Sequence, residues 1–307
     1  MRSLRFFQFF QYLNGRTLRK TIAAAFRQRL PGLASEMAYN AMLSLFPATL
    51  AVLTAIGLFN PLTSTFEKLA NQMSEVAPTE VLGLLKGFAQ EVSQGQDGRL
   101  FSFSFLFALW AASGALGAAM TALDQIHQIP PRLSRPFWKS KLVALMLTLG
   151  AIVMLLFSLA LMLVGDVLVS NTATVVASQN GSIASELLKF WGWLALPLIL
   201  LIMSLAFGII YRYGPSRWNP GQPIMPGAVL AAVIWAIVSN LFRLYVKHFG
   251  NYNRVYGAVG AVIVLLLWLY MSSLVLLLGD QLNVTVGEAM LGQSQERQRN
   301  EKMQGRR

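Results

Sequence analysis

The stretch YGAVGAVIVLLLWLYMSSLVLLLGDQLN, from Tyr256 to Asn283, decides the fold of this chain. No charged residue lies between Arg254 and Asp280. A helix of about 25 residues, rising about 1.5 Å per residue, is long enough to cross the roughly 30 Å hydrocarbon layer of a bilayer. Because lipid offers backbone groups no hydrogen-bond partner, a helix is the simplest structure that spans it. The stretch therefore predicts a transmembrane helix.

The composition extends this prediction to the whole chain. Of its 307 residues, 55% are hydrophobic and 12% are charged, and the mean hydropathy is +0.53. Soluble domains carry a charged fraction of about 25%, so the chain is predicted to be an integral membrane protein. It has no cysteine, which excludes disulfides and thiol chemistry. The first 30 residues lack the apolar core and cleavage site of a signal peptide.

Six apolar segments predict an all-α polytopic membrane protein with six transmembrane helices. They lie near residues 38–59, 100–123, 142–165, 190–211, 225–245 and 257–279. Pro47 predicts a kink in the first span. The small residues of AASGALGAA (Ala111 to Ala119) predict close packing of the second span against another helix. The predicted organisation is a basic segment 1–35, a transmembrane domain 36–286 and a charged, disordered tail 287–307.

Six spans place both termini on the same side of the membrane. Eighteen of the 25 Lys and Arg residues then lie on that side and seven on the other, which assigns the termini to the cytoplasm. The seven acidic residues predicted outside balance the seven cations there, so the net charge of +12 faces the cytoplasm. Membrane insertion and anionic lipid account for this distribution, which argues against nucleic acid as a partner.

Two further segments are predicted to be amphipathic helices. Residues 1–29 carry seven cations and no acid, interleaved with Phe6, Phe7, Phe9 and Phe10. This pattern predicts an interfacial helix on anionic lipid at the cytoplasmic face, and the alternative is a solvated basic tail. The loop 60–99 predicts two short amphipathic helices on the outer face.

The sequence contains none of the motifs that carry common enzyme chemistry. It has no HExxH, no Gly-rich phosphate loop followed by Lys, and no GxSxG. The two histidines, His127 and His248, are predicted on opposite sides of the membrane, so they cannot share a metal ion. We therefore predict no catalytic, cofactor-binding or metal-binding residue, and no enzyme.

The remaining polar residues gather at the ends of the predicted spans. Asp280 is predicted at the C-terminal end of span six, where the helix dipole opposes a negative charge. We expect a compensating cation, with Arg212 and Arg217 the nearest by topology, and leave open whether Asp280 is functional or part of a structural ion pair. Arg243 either extends to the headgroups or faces the bundle and binds an anionic group.

Polar, aromatic and turn-forming residues of spans one, five and six form a predicted substrate path. Its members are Glu36, Tyr39, Asn40, Ser44, Pro47, Asn240, Arg243, Tyr245, Tyr256, Gly257, Trp268, Tyr270, Asp280 and Asn283.

Four pieces of the sequence carry a family likeness. They are AYNAMLSLFP (Ala38 to Pro47), ALWAASGALGAAMTALDQI (Ala108 to Ile126), PGAVLAAVIWAI (Pro226 to Ile237) and the stretch from Leu244 to Asn283. In this order the chain resembles the YihY/BrkB family of bacterial inner-membrane proteins, over about Arg19 to Asn283. The family commonly has an acidic residue directly before Leu-Asn at the end of span six. Here that position is Gln281, with Asp280 one residue earlier.

The resemblance implies a multi-pass protein of the bacterial inner membrane. The family is similar in name to a virulence and serum-resistance factor, some members are linked to envelope lipid export, and an older label calls the family ribonuclease BN. We expect a transporter or translocator of a lipid or another envelope-related small molecule. The alternatives are a non-transporting scaffold for envelope assembly and a membrane-associated ribonuclease, for which the residues give no support. Membrane lipids are the expected partners, and a homo-oligomer is left open.

Overall fold

The computed structural model describes residues 9–58, 98–177, 181–217, 222–249 and 252–304. The regular structure in these ranges is helical, with no β-strand, so the predicted all-α fold is confirmed. A short 3-10 helix, Pro131–Leu133, lies between the third and fourth helices. The helices are α1 Gly15–Arg27, α2 Leu30–Leu58, α3 Gly98–Ile126, α4 Phe137–Ala177, α5 Gly181–Tyr213, α6 Met225–Phe249 and α7 Tyr252–Gln304.

Each predicted span falls in one of the helices α2 to α7, apart from residue 59, which lies outside the described ranges. Within the described residues, four segments are long and apolar enough to cross a membrane. They overlap the third to sixth predicted spans and comprise Phe137–Met154, Leu196–Tyr213, Met225–Val246 and Val262–Gly292. The prediction of a helical membrane protein is thus confirmed, while the number of six crossings stays a prediction.

The last helix extends well beyond its predicted end. α7 continues to Gln304, so the prediction of a disordered tail is wrong for residues 287–304. The tail GEAMLGQSQERQRNEKMQ lacks proline and is rich in Glu, Gln, Arg and Met, which favour a helix. Asp280 consequently lies inside a helix instead of at its C-terminal end. The argument that a helix dipole opposes its charge is therefore also wrong.

The chain divides into two compact units, which we describe separately. Unit 1 contains Met1–Pro31, Met120–Val238 and Leu274–Arg307, and unit 2 contains Gly32–Ala119 and Ser239–Ser273. The predicted amphipathic helices of the loop 60–99 lie outside the described residues, as do Phe6 and Phe7.

The N-terminal helix α1 has a defined start and end. The side chain of Asn14 accepts a hydrogen bond from the Thr17 N–H at 2.9 Å and so caps the first turn. Arg29 adopts a left-handed backbone with φ 58°, which ends α1 and lets α2 begin at Leu30. An N-terminal helix is therefore present as predicted, and its contact with lipid stays a prediction.

Candidate functional site

The candidate site is the segment of α7 from residue 279 to 287, in which every residue is buried. A helix buried on all sides is ordinarily apolar, yet this segment carries the polar residues Asp280, Gln281, Asn283 and Thr285. The Gln281 Nε2 donates to Thr285 Oγ1 at 3.3 Å. Among the described residues, Gln281 Oε1 has no hydrogen-bond partner. Buried polar groups are costly unless bonded, so this concentration of them needs an explanation.

Asp280 pairs with His127, which follows the last residue of α3. Its Oδ2 lies 2.9 Å from His127 Nε2, and each side chain is 2% exposed. A carboxylate oxygen and an imidazole nitrogen hydrogen-bond only through a proton, so the pair holds a proton at this position. The predicted partners, Arg212 and Arg217, are wrong. Tyr211 turns toward α7, and the next residue, Arg212, projects about 100° away around the helix and is exposed.

The end of α3 sets the position of His127. Gln128 adopts a left-handed backbone with φ 52°, and the Ile129 N–H donates to the Asp124 carbonyl at 2.9 Å. This arrangement satisfies carbonyls of the last turn, as helix C-caps do. Pro130 follows and cannot continue the helix. His127 is therefore held in the closing turn, where its ring reaches Asp280.

A second polar contact fixes the same end of α3 to the end of α5. Asp124 Oδ1 accepts from the Ser216 N–H at 2.5 Å, and its Oδ2 accepts from the Ser216 hydroxyl at 2.6 Å. Arg135, in the connection to α4, donates to the carbonyls of residues 213–215 at 2.8–2.9 Å. A positive group at the C-terminus of α5 is electrostatically favourable. These bonds join three helix ends of unit 1.

A cavity of about 560 Å³ lies at this junction. Hydroxyl, amide and charged side chains contribute to its lining, among them Thr121, Asp124, Gln125, Ser134, Arg135 and Ser216. Both terminal nitrogens of Arg135 and both carboxylate oxygens of Asp124 already hold protein partners. The lining also includes Met120, Ile129 and Pro131, so the cavity is of mixed polarity, and its charged residues Asp124 and Arg135 are bonded to other protein groups.

Tyr211 of α5 packs one turn before Asp280. Its hydroxyl donates to the Leu276 carbonyl at 2.6 Å, and the side chain is fully buried. A Cβ on Gly279 would overlap this hydroxyl and the methyl group of Ala231 in α6. Only glycine therefore lets α5 and α6 approach α7 so closely at this turn.

Asn283 holds the N-terminal end of α6. Its Oδ1 accepts from the Gly227 N–H at 2.9 Å, and its Nδ2 donates to the Ile224 carbonyl at 3.0 Å. The first N–H groups of a helix have no partner in the helix itself, so this amide stabilises the start of α6. A Cβ on Gly227 would overlap the Asn283 amide. Asn283 therefore has a structural role in addition to its place in the predicted path.

The N-terminal segment contacts both helices that carry the pair. Phe9 is fully buried and packs against Leu282 and Val286 of α7. The sequence pattern placed Phe9 on the membrane surface, which is wrong for this residue. At the other end of α1, the Gln28 carbonyl accepts from Gln125 Nε2 of α3 at 2.8 Å.

The predicted path residues divide between the two units. Asp280 and Asn283 belong to unit 1. The other twelve belong to unit 2 and comprise Glu36, Tyr39, Asn40, Ser44, Pro47, Asn240, Arg243, Tyr245, Tyr256, Gly257, Trp268 and Tyr270.

Several of these side chains bond within their own helix. In α2, Asn40 Nδ2 donates to the Glu36 carbonyl at 2.9 Å and Ser44 Oγ donates to the Ala41 carbonyl at 2.6 Å. A Cβ on Gly114 of α3 would lie 3.3 Å from Asn40 Oδ1, so the small-residue segment does permit the predicted close approach there.

The remaining described side chains of the path are at most partly buried. Glu36 and Tyr39 are exposed, and Trp268 and Tyr270 are half-buried. In α6, Arg243 Nη2 donates to Asn240 Oδ1 at 3.1 Å on an exposed turn, and Tyr245 stacks on Phe242.

Sequence reasoning missed His127, Tyr211 and Phe9 as residues of this site. One signal could have found His127: the predicted topology puts it and Asp280 on the same side of the membrane. Among the described residues, no group of three or more His, Asp or Glu side chains is placed to hold a metal ion.

Comparison with known proteins places the chain in a family. The profile of the virulence factor BrkB family matches residues 21–304. A ribonuclease-like protein of Bacillus subtilis, YfkH, is 31% identical over 252 residues, which cover 81% of this chain and 87% of that protein. A UPF0761 membrane protein of Alteromonas mediterranea is 28% identical over 264 residues, which cover 83% of this chain and 82% of that protein.

A UPF0761 membrane protein of Tolumonas auensis is 27% identical over 269 residues, covering 87% of this chain and 83% of that protein. No solved structure matches. The profile match covers most of the chain, so the protein is a membrane protein that belongs to the virulence factor BrkB family.

Proposed function

We propose that this protein is a non-enzymatic transporter or translocator of a lipid or another envelope-related small molecule. The observation that carries the proposal is the buried His127–Asp280 pair, whose carboxylate lies in the apolar segment Val262–Gly292. Ionisable side chains inside such segments are expensive and typically mark substrate or ion pathways.

The surroundings of the pair support a role in moving a polar or charged group. Gln281, next to Asp280, keeps a buried carbonyl oxygen without a hydrogen-bond partner among the described residues. An acceptor of this kind is satisfied when water or a polar headgroup reaches it. We infer that a substrate or proton passing this turn of α7 exchanges hydrogen bonds with Asp280 and Gln281.

The proposal includes six membrane crossings with both termini in the cytoplasm of a bacterial cell. The excess of Lys and Arg on that side supports this orientation. Exposed aromatic residues on α5 support its crossing, because Trp193 and Tyr213 are separated by about 30 Å along a helix. Such residues prefer the two membrane–water interfaces.

Asp280→Asn tests the proposal because it removes the carboxylate and keeps a side chain of the same shape. The matched control is Glu288→Gln, which neutralises an exposed acid two turns further along the same helix. Cells lacking the gene are complemented with each variant, and the lipid and metabolite content of the envelope is measured. We expect Asp280→Asn to insert normally and to abolish the phenotype, whereas Glu288→Gln restores it. Wild-type behaviour of Asp280→Asn in this assay and in a solute-flux assay contradicts the proposal.

A non-transporting scaffold for envelope assembly is the second candidate. It is favoured by the number of polar side chains in unit 1 that bond other elements, including Asp124, Arg135 and Asn283. A scaffold requires only that this packing is maintained. In that case Asp280→Asn affects the cell only as far as it lowers the amount of folded protein, which a detergent-solubility assay measures.

The name of the Bacillus subtilis relative raises a membrane-associated ribonuclease as a third candidate. Metal-assisted cleavage of RNA uses clustered carboxylates, and the described residues bring no three metal-ligating side chains together. Incubation of the purified protein with RNA tests this candidate directly. Cleavage by the wild type and by Asp280→Asn alike would identify a nuclease site elsewhere in the chain.

A further inference from the structure

The surface of α1 divides into three sectors along the helix. The sector that faces unit 1 carries small residues, of which Thr17, Thr21, Ala24 and Ala25 are buried. Both threonine hydroxyls bond to backbone carbonyls, Thr17 to Tyr12 at 2.8 Å and Thr21 to Thr17 at 3.0 Å. This sector therefore presents methyl groups to the protein and leaves no polar atom to be satisfied there.

The second sector is apolar and faces away from unit 1. Leu18, Ile22 and Phe26 recur every four residues and are 52%, 48% and 71% exposed. A step of four residues advances about 40° around a helix, so the three side chains form one continuous stripe. A helix on a water-exposed surface turns its large apolar side chains inward, and α1 does the opposite. The stripe therefore requires an apolar environment outside the protein.

The third sector is basic and adjoins the stripe. Arg16, Arg19, Lys20 and Arg27 are all exposed, and Arg19 lies about 20° from the edge of the stripe at Phe26. No acidic residue precedes Glu36 in the chain. Around the circumference of α1, the sector packed on the protein is thus followed by the apolar stripe and then by the basic sector. A helix lying in the headgroup region of a bilayer has this arrangement, with its stripe in the acyl chains and its cations at the phosphates.

Hydrogen bonds place the end of α1 at the membrane-interface end of unit 1. Gln28 is bonded to Gln125 at the end of α3, and the neighbouring Asp124 is bonded to Ser216 just after α5. Arg135 joins the same junction to the start of α4. At that start, Phe137 and Trp138 are 71% and 78% exposed and precede Lys139. Exposed Trp beside cations is typical of a membrane–water interface, so α1 lies at its level.

We propose that α1 binds the surface of the bilayer through anionic phospholipid, with Leu18, Ile22 and Phe26 inserted and Arg16, Arg19, Lys20 and Arg27 at the phosphates. Nucleic acid complements the cations but offers nothing apolar to the stripe. The same helix of a second copy could cover the stripe but offers the cations no acidic partner, because no acidic residue precedes Glu36. An anionic lipid surface matches both sectors at once. This binding is independent of the transported substrate.

A depth measurement on the full chain tests the inserted stripe. The chain has no cysteine, so one introduced cysteine carries the only thiol for a fluorescent label. Leu18→Cys and Ile22→Cys report on the stripe, and Arg16→Cys and Lys20→Cys report on the basic sector. In nanodiscs that contain phosphatidylglycerol, we expect spin-labelled lipid to quench the stripe labels and aqueous iodide to quench the basic-sector labels. Equal exposure of all four labels to iodide overturns the proposal.

The charge requirement is tested in the same full chain. The protein is purified in detergent, and the ratio of phosphatidylglycerol to phosphatidylcholine that stays bound to it is measured as its lipid preference. Each of Arg16→Gln, Arg19→Gln and Lys20→Gln is expected to lower this preference by roughly fivefold. Lys189→Gln, which removes an exposed cation paired with Glu186 at the other end of α5, is the control and should leave it unchanged.

Three outcomes would overturn the assignment. The first is a preference for phosphatidylglycerol that survives all three substitutions together. The second is stripe labels that are equally shielded in discs of phosphatidylcholine alone, because anionic lipid is then not required. The third is crosslinking between two copies through Leu18→Cys or Ile22→Cys, which would identify a second chain as the occupant.

Discussion

At the scale of single residues, two polar side chains buried in unit 1 contact each other. His127 and Asp280 are 153 positions apart in the chain, and His127 Nε2 lies within hydrogen-bond distance of Asp280 Oδ2, at 2.9 Å. Removal of one partner leaves the other buried without its bond, which costs more than the pair contributes. Replacement of either side chain alone is therefore expected to destabilise the fold, even if the intact pair adds little net stability.

We expect His127→Leu and Asp280→Leu each to lower the free energy of unfolding by about 3–5 kcal/mol. The double variant should be more stable than the sum of the two single effects predicts, because neither polar group is then left alone. Thermal unfolding in detergent measures all three. Additive losses would show that the two side chains do not interact in the folded protein.

A glycine replacement tests the contact between α6 and α7. Gly227→Ala places a methyl group where the Asn283 amide lies, so we expect a loss of about 1–3 kcal/mol. The matched control is Gly150→Ala in α4, where nothing lies within 4 Å of the added carbon. That change should be neutral or slightly stabilising, since alanine favours a helix. Midpoints of thermal unfolding compare the two.

At the scale of elements, apolar length predicted where the helices lie, and packing determined what happens at their ends. The described residues of the six predicted spans each fall in a helix, since long uncharged runs fix helical segments without any tertiary contact. The partner of Asp280 could not be predicted from the sequence. It depends on how α3 ends at the left-handed residue Gln128 and on the orientation of α5, which directs Tyr211 toward α7. The extension of α7 was missed because a polar helix has no apolar stretch to mark it.

Arg135 provides a test of how the helix ends are joined. Arg135→Ala removes donors to three carbonyls after and at the end of α5, and we expect a loss of about 1–3 kcal/mol. Arg132→Ala, in the neighbouring 3-10 helix, removes an exposed cation and should have little effect. Equal unfolding midpoints for the two variants would contradict a structural role for Arg135.

At the scale of the whole molecule, function depends on how many times the chain crosses the membrane. The composition and the four apolar segments establish a membrane protein, and the family match agrees with it. The sequence resemblance was confirmed because it rested on several pieces in a fixed order. The residues of the predicted path divide between two separate groups of contacts, with Asp280 and Asn283 in unit 1 and the others in unit 2.

Reporter fusions measure the number of crossings. A topology reporter at Gln94 should signal from outside the cytoplasm, and one at Asn300 from the cytoplasm. A fusion at Ser134, between α3 and α4, should match Asn300. The positive-inside distribution is the physical reason for this expectation. Signals from Gln94 and Asn300 on the same side would refute six crossings.

The amide of Asn283 limits how α6 and α7 can move past each other. The amide forms two hydrogen bonds with the backbone of residues 224–227: its oxygen accepts from the Gly227 N–H and its nitrogen donates to the Ile224 carbonyl. Sliding by a single helical turn, about 5.4 Å, would break both bonds together. If the two helices move during transport, the N-terminal end of α6 and the bonded turn of α7 are therefore expected to move together as a rigid unit. Any bending would then occur elsewhere along the two helices.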